Sequence, residues 1–366
     1  MIARTLFREE HRRFREALRS FIETELVVEH RRIRDQGHVD RETWRKAGAN
    51  GLLGTALSQT CGGDLAGALR RVVLLEELGR ADAPELLGML LHSDRAASLI
   101  AGHGSDALKR TYLPRMASGE LIGALADDDS LDPLAHAGSD ITAVRRGDHY
   151  VVNGVKRLVA NGHPADLVVL AVASDPSRRA DSASLLVVDT SMPGFSKGPR
   201  VGDLACGYLG LAELHFDEVP VPVENLLGEE NASYRYLEQE RPGYCIEAAI
   251  SAVARMEAAL ESTGPCTCEG GCRSSTAGNL TSVRHPLCET RTEIRVARIF
   301  VDRCIELLLA GVLSSADALL ARQWISHLAG RVLQTCRKFD HNGGLWLSLL
   351  VAEQHAPGNC TPQLGK

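Results

Sequence analysis

The feature that most constrains this chain is a change of apolar period that occurs twice. Residues 5–28 repeat their apolar positions at helical spacing, with Phe7, Phe14, Leu18, Phe21 and Ile22 on one face. Helical stretches are predicted at 40–51, 66–79 and 84–102, punctuated by Gly62-Gly63 and Gly79. Near residue 120 short β-rich runs take over: LIGALA, HYVVNGVKRLV, DLVVLAVAS, ASLLVVDT and LAELHFDEV. Asn153-Gly154 reads as a hairpin turn, since both residues tolerate positive φ. PVPVEN should close the β region, because proline cannot donate to a ladder. Helical spacing returns from residue 228, best at Arg241–Leu260, Glu289–Ala310 and Ser315–Phe339.

Strands gathered between two runs of helices predict an α+β protein, not alternating βαβ units. The expected domains are 1–119, helical; 120–227, β; and 228–366, a helical bundle, irregular at 264–280 and after 340. With 366 residues, 44% of them hydrophobic, the chain can bury a large core. A net charge of −6 and 4% aromatic residues disfavour nucleic acid as a partner. No apolar run is long enough to span a bilayer, and the basic start lacks the apolar stretch of a signal peptide. A cytoplasmic location is the expectation, with the ten cysteines mostly reduced. Cys206, Cys245, Cys304 and Cys336 read as core fillers.

Several motifs occur in a fixed order: Asn50-Gly51-Leu52-Leu53-Gly54, Cys61-Gly62-Gly63, Leu75-Glu76-Glu77-Leu78-Gly79-Arg80, Tyr112-Leu113-Pro114 with Ala117-Ser118-Gly119-Glu120, Gly138-Ser139-Asp140, YVVNGVKRLVANG over 150–162, and Ala212-Glu213-Leu214 followed by VPVPVENLLG over 219–228. Together with Arg298–Ala310 this set resembles the acyl-CoA dehydrogenase family, actinobacterial members in particular, over roughly 5–262 and 280–345. The resemblance implies an α-helical domain, a β-barrel-like domain and a C-terminal four-helix bundle. It further implies FAD as cofactor, acyl-CoA as substrate, oxidation to the 2,3-enoyl-CoA, and an electron-transferring flavoprotein or similar acceptor. A homotetramer, or a heterotetramer with a related subunit, completes that picture.

The chemistry needs a base for the α-proton of a thioester and an acceptor for the β-hydride. By resemblance Glu240, immediately before Arg241, is the candidate base. Its structural alternative is a solvated acid near a helix N-terminus. Arg241 and Ser139 are the substrate-side candidates, Ser139 toward the pantetheine or phosphate of CoA. Leu125, Leu158, Val159, Ala160 and Asn161 fall on the flavin-facing segments, and His341 on a turn that in the family meets the partner's FAD.

The chain departs from the family at three of these places. Ala160 stands where the family usually carries a threonine whose hydroxyl bonds the flavin near N5, and Leu158 where an aromatic residue is common. The segment Ala124–Asp140 is longer than its family counterpart by several residues. Its Asp127-Asp128-Asp129 run reads as a solvated loop before a divalent-metal site. Residues 264–280 replace an Arg…Phe-Gly-x-Pro stretch. Cys266, Cys268 and Cys272 there lack paired C-x₂-C spacing, so no metal site is assigned. Abrupt loss and recovery of a pattern is what a local frame change in the gene produces. These departures keep open an impaired partner subunit, of the kind used in steroid or branched-acyl catabolism, or a pseudoenzyme.

Overall fold

The structure, a computed structural model, describes residues 4–54, 65–81, 86–127, 141–173, 183–200, 209–263 and 277–339. Helices come first: α1 (Glu9–Phe21), α2 (Val27–Gln36), α3 (Arg41–Ala49), α4 (Leu65–Arg80), α5 (Leu86–Leu90), α6 (Ser98–His103) and α7 (Asp106–Ala117). Seven strands follow among the described residues: β1 (Gly123–Ala126), β2 (Thr142–Arg146), β3 (His149–Val159), β4 (Leu167–Ala173), β5 (Ala183–Asp189), β6 (Phe195–Arg200) and β7 (Ala212–Pro222). Three long helices end the described chain: α8 (Ser233–Ser262), α9 (Ala277–Leu309) and α10 (Ser315–Phe339). The helical–β–helical order, and with it the α+β class, is as expected.

Two predicted helices are interrupted by π-helical turns. Ile22–Leu26 separates α1 from α2, and Leu91–Ala97 separates α5 from α6. A π turn shifts the phase of an apolar stripe. After the first, Leu26 is buried while Val27 and Val28 face outward.

The chain divides into two compact units. The first has its described residues within Glu16–Arg71 and Ala83–Gln239. Its sheet runs β1-β4-β2-β3-β7-β6, with β5 on β4. One core takes Ala124, Val152, Val168, Leu186 and Val219 from strands throughout this sheet, so the sheet curls around it. Alternation assigns the faces. Val168, Leu170 and Val172 of β4 point into the curl, while Leu167, Val169 and Ala171 meet Leu99, Ile100 and Met116 from the helices. Strand β4 is therefore buried on both sides, which is why it reads as an unbroken apolar run.

Asn153-Gly154 is not a turn. Strand β3 passes straight through it, with a bulge between Val152 and Gly154, where glycine takes φ 133°. The Asn153 side chain accepts a hydrogen bond from the Glu218 amide across that bulge, at 2.9 Å. The hairpin turn is instead Gly147-Asp148, closed by the Arg146–His149 pair, with Gly147 at φ 66°. As expected, PVPVEN closes the β region: β7 ends at Pro222, with Pro220 still inside the strand. Strand β6 pairs only the Ala212–Phe216 part of β7, so both prolines sit where β3 alone is the neighbour and a missing donor is tolerated.

The second unit has its described residues within Met1–Arg15 and Val72–Asp82 and from Glu240 onward. Its core includes Ile246, Val253, Met256, Ala297, Val301, Ile325 and Leu328. Helix α8 begins at Ser233, earlier than the expected start, and α9 begins at Ala277, so the last residues of the 264–280 stretch are helical. Cys245, Cys304 and Cys336 are buried thiols, as expected; Cys206 lies outside the described residues.

Candidate functional site

Strands β1 and β3 carry the segments expected to face a cofactor, and both contribute to the curled core. Ala124 and Ala126 of β1 and Val159 of β3 point inward there, and the two strands are in contact. Leu125, between the two alanines, therefore faces the other way and packs with the Leu167–Leu185 cluster. What β1 can offer a ligand at this point is main chain.

The end of β3 is shaped by its backbone. Leu158 has φ 55° and Asn161 φ 59°, both left-handed. For leucine that conformation is strained, and such strain persists only where the surroundings enforce it. It leaves Leu158 49% exposed, while Val159 beside it is in the core and paired with Ala212.

Asn161 is the anchor. Its amide donates to the Leu209 carbonyl (2.7 Å), its carbonyl accepts from Ala165 N (2.9 Å), and its Nδ2 donates to the Gly88 carbonyl (2.7 Å). The side chain is 3% exposed and its donor is satisfied. Ala160, held between Val159 and Asn161, adds no side-chain donor. The result is a fixed, uncharged lip. Apolar Leu158 stands proud of it, and any polar contact must come from main chain.

A second anchor lies in the π turn. His92 is fully buried; its Nδ1 accepts from the Gly123 amide (2.8 Å) and its Nε2 donates to the Met116 carbonyl (3.1 Å). An amide can only donate and a carbonyl only accept, so these partners select the neutral imidazole with its proton on Nε2. Burial lowers its pKa to about 4. The ring meets Trp44 edge-on, with centroids 5.1 Å apart. Neither Gly88 nor His92 was singled out from sequence. A histidine inside an apolar helical run was the available signal.

In the other unit Glu240 and Arg241 occupy the second turn of α8 and beyond, not its first residues. Both are part-buried and both have partners within the structure, so the reading of Glu240 as a solvated helix-start acid does not hold. Pro242, next along, lacks the N–H that would bond the Glu238 carbonyl, which loosens the helix at this pair. Ser139 and His341, together with Asp128, Asp129 and the Cys266–Cys272 cluster, lie outside the described residues. Among the described residues no group of three or more His, Cys, Asp or Glu could hold a metal ion.

The same unit gives the LEELGR motif a physical role. Glu76 is 2% exposed and meets three arginines: Arg4 at 2.7 Å, Arg15 at 2.6 Å and Arg298 at 3.0 Å. Their charges hold its carboxyl below the usual range despite burial. Arg298 also forks onto both oxygens of Glu257, each at 2.9 Å, and Arg4 onto both oxygens of Asp302, at 2.7 and 2.8 Å. Gly79 permits the approach of α4 to α8, since a Cβ there would stand 2.2 Å from the Ser251 carbonyl oxygen.

Two family models match the chain: the N-terminal domain of acyl-CoA dehydrogenases over residues 8–120, and their middle domain over 125–219. The rat mitochondrial long-chain specific acyl-CoA dehydrogenase is 32% identical, covering 99% of this chain and 84% of the rat protein. The chain belongs to the acyl-CoA dehydrogenase family. The short-chain specific acyl-CoA dehydrogenase of Clostridium acetobutylicum is 27% identical, covering 86% of this chain and 83% of its own. A crystal structure of an acyl-CoA dehydrogenase from Geobacillus kaustophilus superposes with a TM-score of 0.85 at 31% identity, covering 98% of this chain and 97% of that one.

Acyl-CoA dehydrogenases are FAD-dependent oxidoreductases. A flavin ring is flat and apolar on its faces, with polar atoms at its edge. A rigid main-chain lip with a proud aliphatic side chain fits such a ring, although Ala160 leaves it one hydroxyl donor short. No helix among the described residues is long and apolar enough to cross a membrane.

Proposed function

We propose that this chain oxidises an acyl-CoA thioester to its 2,3-enoyl-CoA with FAD as cofactor. The supporting observation is that likeness to an acyl-CoA dehydrogenase runs through 99% of the chain. In this reading the chain is organised as helical 1–119, β 120–227 and helical 228–366. FAD, when bound, accepts the hydride from the β-carbon.

The chain's own residues do the rest. Glu240 takes the α-proton, with Arg241 beside it as a substrate-side cation. Ser139 bonds the CoA chain. Leu158 would give the flavin an aliphatic contact and main chain at Leu125, Val159 and Ala160 its polar edge, with Asn161 holding that segment in place, and His341 would reach a neighbouring subunit's cofactor. Electrons leave to an electron-transferring flavoprotein or similar acceptor, in the cytoplasm.

A homo- or heterotetramer with a related subunit belongs to the same reading. Val296, Ile299 and Phe300 of α9 and Leu320 and Trp324 of α10 are exposed, with Phe300 and Trp324 in edge contact. Apolar patches of this kind mark association surfaces.

The purified protein should be yellow and should bleach on adding acyl-CoA. Glu240→Gln should keep the flavin spectrum and lose turnover by roughly 10²- to 10⁴-fold. Full turnover in that variant would remove Glu240 from its role.

A further inference from the structure

The short segment Leu86–Ala97, made of α5 and the π turn after it, touches both flavin-facing strands by buried polar contacts. At one end the Gly88 carbonyl receives Asn161 Nδ2 at 2.7 Å. At the other, His92 Nδ1 receives the Gly123 amide, the first residue of β1, at 2.8 Å. Gly88 and His92 are four residues apart, one helical turn, so the two contacts come from one rigid piece. A π turn is an uncommon feature that concentrates at functional sites.

We infer that this segment is a brace that sets the spacing of the flavin lip, with Asn161 and His92 as positioning residues. The inference rests on the flavin reading above. Three observations support it. First, both contacts are buried, so breaking either one leaves a buried polar group unsatisfied rather than returned to water. Second, the backbone of Leu158–Asn161 carries two left-handed non-glycine residues, a conformation that needs an external hold. Asn161 Nδ2 on Gly88 supplies one. Third, the segment leaves no slack at either end. A Cβ on Gly88 would lie 2.9 Å from Asn161 Oδ1, and a Cβ on Gly123 would lie 2.6 Å from Met116 Cε and 3.1 Å from Ala96 Cβ.

With a hydroxyl missing at Ala160, the chain depends on main-chain position for its polar contacts to the ring. Displacing β1 or the hairpin end by a fraction of an ångström then changes those contacts directly.

The two ring nitrogens of His92 allow a discriminating test on the full-length protein. His92→Asn keeps an acceptor near the Nδ1 position, facing Gly123. His92→Gln instead keeps a donor near the Nε2 position, facing Met116. The brace requires the first and not the second. FAD affinity, the visible flavin spectrum and the flavin reduction potential are measured for both, beside thermal unfolding and amide hydrogen exchange at Gly123 and Asn161.

His92→Asn should match wild type in spectrum and potential. His92→Gln should bind FAD roughly tenfold more weakly, shift both flavin readouts and speed exchange at Gly123. Equal flavin readouts in the two variants would overturn the inference. Should His92→Gln fail to fold, Gly88→Ala tests the other end without removing a buried polar group. It should shift the flavin spectrum and speed exchange at Asn161, and an unchanged spectrum overturns the brace. A wild-type protein that takes up no FAD defeats the flavin reading itself, and exchange at Gly123 and Asn161 then judges the brace alone.

Discussion

The core of the curled sheet and Glu76 at the centre of its charged hub are both buried, yet they are held in different ways. In the sheet, Val168, Leu170, Leu186 and Val219 contribute by removal of apolar area from water, which needs no particular partner. At the hub, Glu76 answers to Arg4, Arg15 and Arg298, and Arg298 to Glu257. Each charge there is tolerable only because the others are present. Loss of one sheet residue should therefore be graded and local. Loss of Glu76 should instead take one partner from three arginines at once.

The sharpest way to break this contrast is Glu76→Ala. It removes the carboxylate that Arg4, Arg15 and Arg298 share, leaving each with one acidic partner, Asp302, Glu77 and Glu257, and should cost roughly 3 kcal/mol, read as a fall in urea midpoint. A change under ~1 kcal/mol would mean that Asp302, Glu77 and Glu257 hold the arginines without Glu76, and the hub picture would be lost. Next comes Leu170→Ala, fully buried at the centre of β4. A cavity in the sheet core should cost about 3 kcal/mol, with the visible flavin spectrum kept.

Acid separates the regions by pH window. His92 has its folded pKa lowered from 6.5 to about 4, so the unfolded chain binds the extra proton first. Its contribution is complete above pH 6.5 and declines as the pH falls toward about 4, a loss of up to ~3 kcal/mol. Glu76, lowered from 4.5, loses its share only below that value, as the pH falls through its folded pKa. Unfolding measured across this range should show two stages, and His92→Asn should shrink the first to the share of His103, whose pKa burial also lowers. The smallest expected effect is at Arg12, whose pairing with Glu9 is exposed on both sides. Arg12→Ala should leave the midpoint unchanged, because solvent screens such a pair.

Local sequence carried a good deal of this protein. Period and composition place the strands and the long helices, since burial of one face imposes its repeat on the residues themselves. The ordered motifs carry the family, and the VKRLVANG segment marks where β3 ends. Where two local rules competed, sequence alone chose wrongly. Asn153-Gly154 suits a turn and also suits a bulge, and only the pairing of β3 with β7 selects the bulge. Pro220 and Pro222, by contrast, mark the end of the β region as read, and they fit β7 because β6 no longer pairs with it there.

The roles of Glu76, His92 and Asn161 belong to the tertiary structure. Arg298 lies 222 residues from Glu76, Met116 24 from His92, and Gly88 73 from Asn161. A hydrogen bond or ion pair depends on a separation of about 3 Å and on direction. Neither is encoded in the spacing of residues along a chain, so an acid in LEELGR and a histidine in an apolar helix stay ambiguous until folding brings their partners to them.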